Sequence, residues 1–128
     1  MVVVRTVDVA VVLVAAVLVG IPAPAGAVAT FHVDNQGACD DATPDSSATP
    51  YCTIQAAVDD AVSGDAIEVA AGTYTGSGVN VVDLFAGAES LTIHGAGEGT
   101  TIVDGQSTRG GIRLYGPATY VIEDLTIA

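Results

Sequence analysis

The hydrophobic pattern changes its period once along this chain. Ile54, Ala57, Val58, Ala61 and Val62 recur at i, i+3, i+4, i+7 and i+8, which predicts an amphipathic helix over residues 53–63. Thr53 suits its N-cap, and Gly64 suits a left-handed residue past its end. A helix of about ten residues is too short to be stable alone, so it needs a surface to cover. Before it, Phe31 and Val33 share one face of a first strand. After Gly64 the period becomes two and stays there. Ile67 and Val69 flank Glu68, and Val79, Val81 and Leu84 follow. Leu91 and Ile93 face one way, with Thr92 and His94 the other. Then come Ile102-Val103, Ile112 and Leu114 around Arg113, and Ile122, Leu125 and Ile127. The runs are short even for strands, and Gly, Asn, Asp, Ser and Thr fill the gaps (AGTYTGSG, GAGEGT, DGQSTRGG, YGPAT).

The last run is informative. Leu125 and Ile127 share a parity that would also turn Glu123 inward, whereas Ile122 has the opposite parity. One flat strand would bury a carboxylate, which is costly. A corner at Glu123-Asp124 removes the conflict. Strands that turn corners every few residues predict a coil of sheet rather than a sandwich of hairpins. LTI at 91–93 recurs at 125–127, a 34-residue offset. Two triplets of common residues match easily by chance, so this repeat leaves the register open.

Residues 1–29 read as a signal peptide: Arg5, then the apolar run VAVVLVAAVLVGI (Val9 to Ile21), then small-residue cleavage sites after Ala27 or Ala29, of which Ala29 fits better. A retained membrane anchor is the alternative. Cys39 and Cys52 lie in the exported part, where an even count reads as one disulfide, with two free thiols as the alternative. The charge is strongly acidic: 15 Asp and Glu stand against 3 Arg and no Lys, a formal net charge of -12. That excludes a nucleic-acid partner and docking on anionic lipid, both of which need a basic footprint.

At this point the residues resemble a known family. FHVDN, the paired Cys around PYCTIQ, the junction AVSGDAIEVAAGTY and then LTIHGAGEGTTIVDG resemble, in order, the N-terminal cap and opening coils of secreted pectin-lyase-like proteins. The resemblance covers residues 30–128. It implies a mainly β fold, a right-handed parallel β-helix (solenoid) with an N-terminal amphipathic cap helix. Residues 30–64 would form the cap and 65–128 the first coils, with Ile54, Val58 and Val62 as the buried face of the cap helix. Only about two coils fit in this length, so the chain is expected to be a truncated part of a longer protein, with self-association at its open strand edge. The same cap precedes lyases, hydrolases and non-catalytic surface proteins, so activity does not follow from it.

Candidate chemistry is sparse. The lyases of the family use a strong base, and here only Arg113 occupies an outward strand position, with Arg109 in a Gly-rich turn. The hydrolases use grouped Asp residues, which makes Asp104 and Asp124 candidates, although both are more simply turn formers. Asp34, Asp40, Asp41 and Asp45 form the densest acidic cluster and are the candidate Ca2+ ligands. Their spacing departs from the EF-hand loop, and a solvated loop is the simpler expectation. His32 and His94 are each alone on an outward strand face, with no second ligand near in sequence. The expected function is that of a secreted protein, extracellular or at the cell surface, which acts on or binds polysaccharide when full length. This segment itself is expected to be non-catalytic, and an adhesin-type solenoid is the alternative.

Overall fold

A computed structural model describes residues 27–44, 47–84 and 89–128 of this protein. Most of the expected leader, residues 1–26, and the candidate ligand Asp45 lie outside the described residues. The first strand, β1 (Thr30–Val33), leads into a loop closed by the Cys39–Cys52 disulfide, with Cα atoms 5.1 Å apart. Tyr51 returns to the edge of β1. Its N–H donates to the His32 carbonyl and its carbonyl accepts from the Asp34 N–H, both at 2.9 Å.

Helix α1 (Ile54–Asp60) begins where the pattern places it. Thr53 Oγ1 accepts from the Ala56 N–H at 3.2 Å and donates to Asp41 Oδ2 at 3.0 Å. Asp41 Oδ1 also accepts from the backbone N–H groups of Cys52 and Thr53. The helix ends earlier than the periodicity predicts, because Ala61 is already extended. Asp65 supplies the reason. Its buried carboxylate accepts from the Val62 N–H at 2.8 Å and the Ala29 N–H at 2.9 Å, so it fixes a turn where another helical turn would run. Gly64 completes that turn at φ +97°, the left-handed region expected of it. The buried face of α1 is therefore Ile54 and Ala57, with Val58 and Ala61 partly buried. Val62, expected on that face, is 61% exposed.

The remaining strands are β2 (Ala66–Val69), β3 (Gly72–Tyr74), β4 (Asn80–Leu84), β5 (Ser90–Gly95), β6 (Thr101–Val103), β7 (Gly110–Leu114), β8 (Thr119–Glu123) and β9 (Thr126–Ile127). They form three sheets ordered β1-β2-β5-β8, β3-β6-β9 and β4-β7, with every pairing parallel. From β2 onward the chain visits the four-, three- and two-stranded sheets in that order twice, then enters the first two again. The register pairs Ile67 with Ile93 and Ile93 with Ile122. Leu91 faces Tyr120, so the 34-residue LTI offset is not the structural register.

The core is a thin aliphatic column with inward side chains from each sheet. Ile67, Ile93, Val82 and Val103 are fully buried, and Tyr74 joins them with its hydroxyl donating to the Ala70 carbonyl at 3.0 Å. Two details depart from the alternation pattern. Val79 precedes β4, is exposed, and contributes its carbonyl, which accepts from the Gly110 N–H. In β6, Thr101 and not Ile102 turns inward; its hydroxyl accepts from the Ala96 N–H and lies 3.1 Å from the Ala70 carbonyl, so the buried polar atom is satisfied. The corner expected at Glu123-Asp124 is present, with Asp124 at φ 55° between β8 and β9. Gly95 accommodates it from the neighbouring strand, since a Cβ there would overlap the Asp124 carbonyl.

Candidate functional site

Parallel, in-register pairing turns a sequence pattern into a column of side chains. In the four-stranded sheet His32 pairs with Glu68, Glu68 with His94, and His94 with Glu123. All four share the outward parity, because Ile67, Val69 and Ile93 fill the interior. Neighbouring parallel strands lie about 4.8 Å apart, within reach of facing polar side chains. The corner then brings in a fifth group. The left-handed Asp124 aims its carboxylate at the same imidazole that faces Glu123 across the ladder.

His94 is the centre of this arrangement. Its Nδ1 lies 3.0 Å from Glu68 Oε2 and its Nε2 lies 2.9 Å from Asp124 Oδ2. The imidazole is about two-fifths exposed, at 39%. Hydrogen bonding to Glu68, and next to Asp124, raises its pKa above the usual histidine value, because both favour the imidazolium. Among the described residues, His94, Glu123 and Asp124 are the set whose ligand-type atoms converge, all within 4.8 Å of one another.

Beside the column runs an open groove of about 440 Å3, following the ends of β1, β2 and β5 where the chain leaves the four-stranded sheet. His32, Asp34, Glu68, His94 and Asp124 line it, and Pro50 forms part of its wall. It offers carboxylates and imidazoles as hydrogen-bond partners and carries negative charge.

Comparisons with protein-family models, with curated proteins and with solved structures found no match to this chain. Among the described residues no helix is long and apolar enough to cross a membrane.

Of the residues singled out as Ca2+ candidates, the described ones, Asp34, Asp40 and Asp41, each make local contacts. Asp34 Oδ1 accepts from the Gln36 N–H. Asp40 accepts from the Ala42 N–H and the Thr43 hydroxyl, which lower its pKa, the hydroxyl having the larger effect. Asp41 holds the start of α1. Asp104 and Asp124 make different sets of contacts: Asp104 accepts from the Gln106 N–H in a turn, and Asp124 pairs with His94. Arg113 pairs with Asp83 at 3.0 Å and lies over the Tyr115 ring at 4.5 Å, while Arg109 donates to the Gly78 carbonyl and to Gln106. A second groove, of about 790 Å3, runs between α1 and residues 75–78, with Asp41, Gln55, Asp59 and Asp83 on its walls. Its polar groups bond one another: the Asp83 N–H donates to Gln55 Oε1, and Gln55 Nε2 donates to Asp59.

His94 is the residue that sequence reading missed. It is not a lone histidine, because its partners come from 26 positions before it and 30 positions after it. The signal that could have found it is the strand register. Once β2, β5 and β8 are aligned on their inward isoleucines, Glu68, His94 and Glu123 fall in one outward column.

Proposed function

We propose that residues 30–128 form the cap and opening coils of an exported right-handed parallel β-helix of the pectin-lyase-like kind. Parallel strands visited in a fixed sheet order support the coil, and right-handedness is the rule for parallel crossovers. The Cys39–Cys52 disulfide supports an extracellular setting. We further propose that this part of the molecule binds polysaccharide, and does not cleave it, in the groove beside His94.

The observation that carries this reading is the outward His32–Glu68–His94 run, joined by Asp124, along an open groove of about 440 Å3. Sugar hydroxyls donate well to carboxylates, so a neutral glycan fits these walls. A polyuronate would meet like charge in the groove and on a chain of net charge -12. Glu68 and Asp124 are both engaged by His94, which suits holding a ligand more than the free acid and base of a hydrolase. Affinity electrophoresis of the full chain, disulfide intact, in gels containing a neutral β-glucan, a galactomannan or polygalacturonate tests this. A neutral polysaccharide should retard the protein, and Glu68→Ala with Asp124→Ala should weaken retardation at least tenfold. Retardation only by polygalacturonate, none by any polymer, or no effect of the substitutions would overturn the reading. Release of new reducing ends would replace it with an enzyme.

A further inference from the structure

We propose that His94, Glu123 and Asp124 form a binding site for a zinc ion, with Glu68 as the residue that orients His94. The inference goes beyond glycan binding and does not depend on it. One imidazole and two carboxylates form a borderline donor set that suits zinc, whereas calcium takes oxygen ligands alone. Three ligands also match the number that zinc takes when it keeps a position open to water or another oxygen ligand.

The geometry is close to what the ion requires. In a tetrahedral site with bonds of about 2.0–2.1 Å, neighbouring ligand atoms stand roughly 3.3 Å apart. His94 Nε2 and Asp124 Oδ2 are 2.9 Å apart, and one ligand atom each from His94, Glu123 and Asp124 lie within 4.8 Å of one another. An ion would therefore need side-chain rotations that open the Nε2–Oδ2 pair and bring Glu123 closer. The backbone is already specialised for this. Consecutive strand residues normally face opposite ways, but the left-handed Asp124 breaks that alternation, so Glu123 and Asp124 both reach one imidazole.

Glu68 supplies what a zinc-bound histidine ordinarily has, a carboxylate on its other nitrogen. With Nδ1–H donated to Glu68 Oε2 at 3.0 Å, an ion bound at Nε2 would take the place of the proton that Nε2 otherwise shares with Asp124. The two liganding carboxylates balance the charge of a divalent ion, and Glu68 adds a third negative charge behind the ring. The site opens to solvent at the edge of the groove, so an ion can enter without unfolding.

The test uses the tag-free full chain, stripped with chelator and titrated with Zn2+ alone by calorimetry. One equivalent should bind. His94→Ala should lower affinity at least 100-fold, and Glu68→Gln should lower it about 10–100-fold with stoichiometry kept at one. His32→Ala should leave binding unchanged. A second readout needs no variant: in histidine 15N spectra of the wild-type protein, zinc should shift Nε2 of His94 and leave Nδ1 protonated. No binding, binding that survives His94→Ala, or a shift at His32 in place of His94 would refute the site.

Discussion

Leu84 and Leu114 occupy the same position in adjacent strands of one sheet, yet Leu84 is 1% exposed and Leu114 is 53% exposed. Val103 and Ile127, also paired, differ in the same way, at 0% and 53%. Face and register are matched in each pair, and all four side chains are aliphatic. What differs is the layer on either side. Leu84 lies in β4, between α1 and β7, and Val103 lies in β6, between β3 and β9, whereas β7 and β9 each have one strand partner among the described residues. In stacked parallel strands, burial is thus set by the neighbours along the stack more than by the residue's own pattern. Side chains with the same sequence signature contribute unequally to stability.

That contrast can be broken in three ways. The largest effect should come from Leu84→Ala, which creates a buried cavity and costs about 2–5 kcal/mol, against less than half of that for Leu114→Ala. Denaturant unfolding of the two variants checks this, and equal losses would show that the exposed layer is buried in solution. Next, removing the disulfide by Cys39→Ser with Cys52→Ser should cost roughly 3 kcal/mol, as expected for a loop of about this length. Hydrogen exchange should show the loss first in β1 and α1, with β8 and β9 little changed. The third concerns alkaline pH. Tyr51 and Tyr74 are buried at the capped end, and their pKa values are pushed up to about 12, mainly by burial and for Tyr51 also by its hydrogen bond to Asp60. The unfolded chain ionises them near 10, so their contribution is full below pH 10 and is lost as pH rises from about 10 toward 12. Unfolding free energies measured from pH 9 to 12 should fall, and less steeply in Tyr74→Phe.

Much of the frame was legible because it is local. Thr53 as a cap, Gly64 in a left-handed turn, the bridge between Cys39 and Cys52, and the corner at Glu123-Asp124 each follow from a few adjacent residues. The failures each involve at least one contact distant in sequence. The end of α1 is decided by Asp65 reaching back to Val62 and Ala29. The inward turn of Thr101 depends on the Ala70 and Ala96 backbone. The His94 cluster needs the register of three strands, and the paired segments stand at offsets of 26 and 29 residues (Glu68 to His94, His94 to Glu123) rather than the 34 suggested by the LTI repeat. Unequal offsets hide such a column from any fixed-period search.

The Cys39–Cys52 bridge also has a consequence for how the first strand finds its place. Thr30 pairs with Ala66, 36 positions along the chain, and the bridge lets the path skip the 13 positions between the two cysteines, leaving an effective loop of 36 − 13 = 23. By loop-closure entropy that shortens the search by about 0.4 kcal/mol, or roughly twofold in rate. Early formation of the bridge would thus speed the docking of β1 on β2, so the end that covers the column would be set early, before the later strands are added to it.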